Sequence, residues 1–155
     1  MSEGRESALR RLAVELRQAR VEAEGRGDAW AAAVHTVDLE EVEERLRLRE
    51  TWHRFFADAE HDVLITPAAP TAAIPAGTRA LTVDGVERSF FDQTGWANLA
   101  SHVGLPSLVM PVARNASGLP IGVQLVGPAH SDRTLLAMAE DLGSLLRATA
   151  GGFGF

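Results

Sequence analysis

The chain has 155 residues, 46% of them hydrophobic and 23% charged, a length suited to one domain and a composition able to bury a core. Its net charge of −6 argues against a nucleic-acid surface, which would want a basic stripe. There is no cysteine, which excludes disulfides, thiolate nucleophiles and cysteine-ligated zinc, and all fifteen Lys-or-Arg positions are arginine, so no side-chain amine is available as a base. Met1 to Arg20 is charged and lacks the apolar segment of a secretory signal. No window approaches the roughly 18 apolar residues that span a bilayer. These features lead us to expect a cytoplasmic protein with no membrane contact.

Leu9, Leu12, Ala13 and Leu16 recur at helical spacing and predict an amphipathic helix over about 7–24, ended by Gly25 to Gly27. A second helix is expected from Asp38, an N-cap residue with Glu41 three positions on, to about Ala59. Val42, Leu46, Trp52, Phe55 and Phe56 would form its buried stripe, and the acidic residues among its arginines a solvated face. From residue 62 the pattern changes. Val63, Leu64 and Ile65, closed by Thr66 and Pro67, read as a short buried strand. The stretch from Pro67 through Pro70 to Pro75 and Gly77 is too rich in proline for regular structure. Asp84-Gly85 between β-prone flanks predicts a two-residue hairpin over Leu81 to Arg88.

A helix is expected over Phe91 to Val103, then strands over Ser107 to Ala113 and Pro120 to Val126, with Asn115 and Gly118 in the turn between them. The last helix is predicted over Asp132 to Leu146, capped by Ser131, with Leu135, Leu136, Ala139 and Leu142 facing inward. The tail from 148 to 155 reads as loose. The whole is expected as one domain: a mainly helical lead-in over 1–60 and a strand and helix core over 61–147. The fold class is α/β, a short mixed sheet with flanking helices whose strands are buried on both faces. Three apolar strands make a narrow sheet, and such strands ordinarily lie within a wider one.

Four strings carry a resemblance. Asp62-Val-Leu-Ile-Thr-Pro-Ala-Ala-Pro-Thr-Ala-Ala73, led by Arg49-Glu-Thr-Trp-His-Arg-Phe-Phe56, resembles a strand and loop of the amidase-signature family. Gly104-Leu-Pro-Ser-Leu-Val-Met-Pro111 and Gly118-Leu-Pro-Ile-Gly-Val-Gln-Leu-Val-Gly127 resemble two later segments of it, and Asp132 to Leu142 its following helix. The resemblance runs from about Trp30 to Leu146 and implies a partial amidase-signature fold. Members hydrolyse amides, or release ammonia from glutamine for transfer, with a serine, a second serine joined by a cis peptide, and a lysine.

The family places that set in its N-terminal half, and this chain has no lysine and no two serines that are adjacent or one residue apart. The resemblance therefore implies a C-terminal portion of an amidase, with no catalytic residue of its own and no cofactor, and the arginine- and alanine-rich, lysine-free composition suggests a bacterial source. Its partner would be an N-terminal catalytic half, and the complete enzyme would take a small amide. A non-catalytic module that reuses half of a hydrolase fold and self-associates is the alternative. The substrate-pocket candidates are Thr66 and Pro67, at the end of a strand where α/β sheets tend to bind ligands, and Thr94 and Trp96, in a segment resembling the family's variable substrate-facing stretch. Trp96 reads equally as core. Gln124, within a buried strand, is expected to satisfy backbone groups. His35, His53, His61, His102 and His130 adopt no metal-ligand spacing.

Overall fold

The computed structural model describes residues 2–58 and 61–149. The chain forms two compact units, Met1–Ala59 and Glu60–Phe155.

The first unit is a helical hairpin of α1 (Ser2–Gly25) and α2 (Ala29–Asp58). Gly27 at φ 73° makes the turn between them, a conformation that costs a residue with a Cβ. Asp28 is the cap of α2: its Oδ1 accepts from the Ala31 N–H at 3.0 Å. The helix thus begins well before Asp38, which lies within it, because the alanines at 29 and 31–33 have high helix propensity and extend it back to the turn. Small side chains, Ala13, Ala23 and Ala32, are buried together with Leu39 and Phe56. Trp52, Phe55 and Phe56 form an aromatic group, with Phe55 and Phe56 edge to face at 5.1 Å.

The second unit is built on a three-stranded sheet in the order β1 (Leu64–Pro67), β5 (Pro120–Val126), β4 (Ser107–Arg114). Both pairings are antiparallel, so among the described residues the sheet holds no parallel pair of the kind a mixed sheet would have. Helix α4 (Asp132–Thr149) covers one face: Leu135 packs with Met110 and Leu125, and Leu108, Val112, Val123, Ala139, Leu142 and Leu146 surround them. On the other face Thr66, Gln124 and Val109 are cross-strand neighbours. A bulge between Pro111 and Ala113 bends β4, an edge strand where the missing proline N–H is tolerated. β2 (Ala80–Val83) and β3 (Val86–Ser89) form the expected hairpin, with Asp84 at φ 51° and Gly85 at φ 77° as its two-residue turn. A 3₁₀ turn (Phe90–Thr94) and α3 (Gly95–Ser101) follow.

Several sequence expectations are corrected here. The helix expected over Phe91 to Val103 divides into the 3₁₀ turn and α3, because Ser89 Oγ accepts from the Phe91 N–H at 3.2 Å and tightens the first turn. Ser131 does not cap α4 with its side chain: the hydroxyl donates backwards to the Pro128 carbonyl at 2.8 Å. Leu136 is 55% exposed and faces away from the sheet, since α4 presents Leu135, Ala139 and Leu142 to it. The strands are not buried on both faces, for Ile65 is 55% and Val109 60% exposed. In the β4–β5 turn Asn115 contributes its side chain: Oδ1 accepts from the Ser117 and Leu119 N–H groups, while Gly118 takes the positive φ. Of the tail, Ala148 and Thr149 belong to α4, and residues 150–155 lie outside the described residues.

Candidate substrate-pocket segments

β1 sets the first candidates. Thr66 is 5% exposed and stands directly opposite Gln124, which is 2% exposed. Neither the Thr66 hydroxyl oxygen nor the Gln124 amide nitrogen has a hydrogen-bond partner. The Gln124 amide nitrogen therefore does not serve backbone groups as expected; the side chain lies on the sheet face, beside Thr66 and Val109 rather than along the ladder. Unpaired polar atoms in so buried a place each cost on the order of 1–3 kcal/mol. Pro67 ends β1 and is exposed. The chain then passes over β5, where the Ala68 N–H donates to the Gly122 carbonyl at 3.1 Å. A Cβ on Gly122 would come within 3.3 Å of Ala68 Cβ, so glycine permits this close passage.

The second candidates lie after the hairpin. Thr94 Oγ1 donates to the Phe91 carbonyl at 2.7 Å, and Asn98 Nδ2 donates to Thr94 Oγ1 at 3.4 Å, so the hydroxyl joins the 3₁₀ turn to α3. Trp96, in the first turn of α3, is 40% exposed. One contact joins this segment to the loop that follows β1: Thr71 Oγ1 donates to Gln93 Oε1 at 2.9 Å. Sequence reasoning missed this link, because 22 positions separate the two residues and Gln93 belongs to none of the resembling strings. It also missed the exposure of Phe91, 77%, which it placed at the start of a helix, and of its neighbour Phe90, 41%, which lay outside that helix.

The chemistry of these segments is that of hydroxyl, amide and aromatic groups. Ser101 donates to the Ala97 carbonyl and Ser144 to the Glu140 carbonyl, so both hydroxyls are engaged within helices. Among the described residues no cluster of three His, Asp or Glu side chains could hold a metal ion. No helix among them is long and apolar enough to cross a membrane. A groove of about 460 Å³ lies elsewhere, between β4 and α4, lined by Met110, Val112, Ala139, Glu140, Leu146 and Arg147.

The model of the amidase family matches residues 10–136. The chain belongs to the amidase family. A glutamyl-tRNA(Gln) amidotransferase subunit of Nitrobacter hamburgensis is 42% identical over 80 residues, which are 51% of this chain and 16% of that protein. Indoleacetamide hydrolase of Allorhizobium ampelinum is 33% identical over 104 residues, 65% of this chain and 22% of that protein. The amidase chain thus spans about a fifth of the length of the curated relatives it matches. Among solved structures, a crystal structure of an amidase matches with a TM-score of 0.53 and 27% identity, over 74% of this chain and 26% of that one. A chain from a vestigial protein complex related to an s-triazine catabolic enzyme shares the fold, with a TM-score of 0.59 at 22% identity, over 78% of this chain and 26% of that one. The architecture is a partial α/β amidase fold. Three of the four resembling strings fall at its centre: β1 with its loop, the entry into β4, and β5.

Proposed function

We propose that the chain is the C-terminal portion of an amidase-signature amidohydrolase, contributing scaffold and one wall of the substrate pocket to hydrolysis of a small amide. What carries this reading is a family match over 10–136 in a chain that has no lysine. Lysine-dependent activation of a serine needs an amine, and arginine does not release its proton to serve as a base. The Ser-Ser-Lys set is supplied by a partner, the N-terminal catalytic half, and the chain is inactive alone. Thr66 and Pro67 at the end of β1 and Thr94 and Trp96 after the hairpin are its pocket residues. The site uses no cofactor, and the protein works in the cytoplasm of a bacterium. The relatives' names allow two fates for the amide, hydrolysis as in indoleacetamide hydrolase or transfer as in the tRNA-linked amidotransferase. Hydrolysis needs only the amide and water. Purified chain mixed with the N-terminal portion of a relative is expected to hydrolyse an amide that neither piece hydrolyses alone.

A second reading has its own observation. Among the described residues no strand pairs with the outer side of β1 or of β4, and Ile65 and Val109 are more than half exposed. A non-catalytic module that self-associates would cover such apolar surface with a second copy. Mass in solution separates the two: a stable homodimer that ignores the catalytic half supports this second reading.

A further inference from the structure

Among the described residues β4 is paired on one side alone. The Gly127 N–H donates to the Pro106 carbonyl at 3.1 Å, and bonded and non-bonded positions alternate along an antiparallel ladder. Leu108 and Met110 therefore turn their backbone groups to β5, while Ser107, Val109 and Pro111 turn theirs to the outer side. Ser107 and Val109 each bring an N–H there, and all three a carbonyl. On β1 the Ala68 N–H on the Gly122 carbonyl sets the alternation, which leaves Ile65 and Pro67 outward, and Pro67 has no N–H. The β4 edge is the longer and better supplied template for another strand.

The groove of about 460 Å³ runs beside this edge, lined by Met110, Pro111 and Val112 of β4 and by Gly143 of α4. Gly143 keeps it wide: a Cβ there would meet Arg147 Nη1 at 3.4 Å and Met110 Cε at 3.8 Å. Two charged side chains line the groove, Glu140 and Arg147, of opposite sign and two helical turns apart. Neither forms an ion pair among the described residues, and Arg147 Nη2 donates to Ser144 Oγ at 3.2 Å. The one charge on β4 itself, Arg114, donates to the Gly118 carbonyl at 2.7 Å. β2 and β3 pair with each other, so no other described strand of the chain serves this edge. The matched region is 16% of one relative and 22% of another, and their remainder is the source of a strand.

Resting on the reading of the chain as one portion of an amidase, we infer that the outer side of β4 is the seam at which the N-terminal catalytic half joins. That half adds a strand along Ser107 to Pro111 and seats an apolar side chain in the groove. A basic residue of the strand faces Glu140 and an acidic one faces Arg147.

The test uses the full chain, the N-terminal portion of a relative as probe, and amide exchange read by NMR. Exchange at Ser107 and Val109 is expected to slow by more than about tenfold in the mixture, with Ile65 unchanged. Two variants of the chain should each weaken association, measured by calorimetry, by about tenfold or more. Gly143→Leu fills the groove and favours the helix, so its urea midpoint should not fall. Val109→Pro deletes an outward donor and spares the bonds to β5. Leu145→Arg alters a 62% exposed side chain of α4 that does not line the groove, and leaves association as it was. Association that protects Ile65 instead, or that survives both groove and edge variants, overturns the inference and leaves the half-enzyme reading standing. Slowing at Ser107 and Val109 that grows with the concentration of the chain alone seats a second copy there and overturns it as well. No association at all sinks the inference and the half-enzyme reading together. Protection at β4 without ammonia release upholds the seam and counts against the proposed hydrolysis alone.

Discussion

The two units of the chain satisfy their own chemistry to different degrees. The α1–α2 hairpin pairs its backbone groups locally, closes its turn with Gly27 and Asp28, and buries mainly alanine. Ion pairs such as Arg10–Glu6 and Arg47–Glu44 lie along its solvated faces. The sheet unit buries large residues, with Leu125, Leu135 and Val126 at 2% exposure or less. Yet among the described residues the β1 and β4 edges of its three-stranded sheet have no strand beside them, apolar side chains on the strands are exposed, and the buried Thr66 hydroxyl oxygen and Gln124 amide nitrogen have no hydrogen-bond partner. A helix can complete its hydrogen bonding alone, whereas a strand needs neighbours on both sides. What sets the sheet apart is its strand edges, since the helical hairpin too holds buried polar atoms without a hydrogen bond, Arg20 Nε and His35 Nδ1 among them, and exposed apolar side chains such as Val14 and Val37.

The largest effect that would break this comparison lies under α4. Leu125→Ala removes a side chain that is 1% exposed and packed on Leu135 and Met110, and should cost about 2–5 kcal/mol in urea unfolding. A loss below about 1 kcal/mol would mean that the α4–sheet core is not the anchor of its unit. Next is Gly127→Ala. The new Cβ would lie 2.3 Å from Ser131 Oγ and 3.1 Å from Leu135 Cδ2, and relieving that overlap should cost about 1–3 kcal/mol.

Gln124→Leu sharpens the comparison with the opposite sign. It deletes a buried amide whose nitrogen has no partner, so stability should hold or rise by about 1 kcal/mol, read from the urea midpoint. A marked loss would show that the amide is satisfied after all. Smallest is the helical unit's surface. Glu43→Ala breaks the exposed ion pair with Arg17 between α1 and α2 and should cost less than about 1 kcal/mol, vanishing in high salt.

Much of this architecture was legible in the residues because its signals are local. Asp84-Gly85 named the hairpin, Val63 to Ile65 the first strand, and Leu135, Ala139 and Leu142 the inner side of α4. What escaped depends on groups distant in sequence or on competition between caps. Asp38 looked like an N-cap, but Asp28 after a glycine turn had the stronger claim. Ser131 spent its hydroxyl on Pro128, which no spacing rule reveals. Strand burial was overestimated because an apolar run reports what a complete sheet would bury, and these strands have few neighbours here. Of the candidate site, Thr66, Pro67, Thr94 and Trp96 came from their strings. Their arrangement rests on the Thr71–Gln93 bond, a tertiary contact with no local signature.

The central claim is that this chain supplies fold and pocket wall to an amidase whose chemistry resides elsewhere. The direct measurement is ammonia release from phenylacetamide by the purified chain, by the N-terminal portion of a relative bearing the Ser-Ser-Lys set, and by their mixture. The account predicts turnover in the mixture alone. Turnover by the purified chain itself, undiminished through further purification, would contradict it.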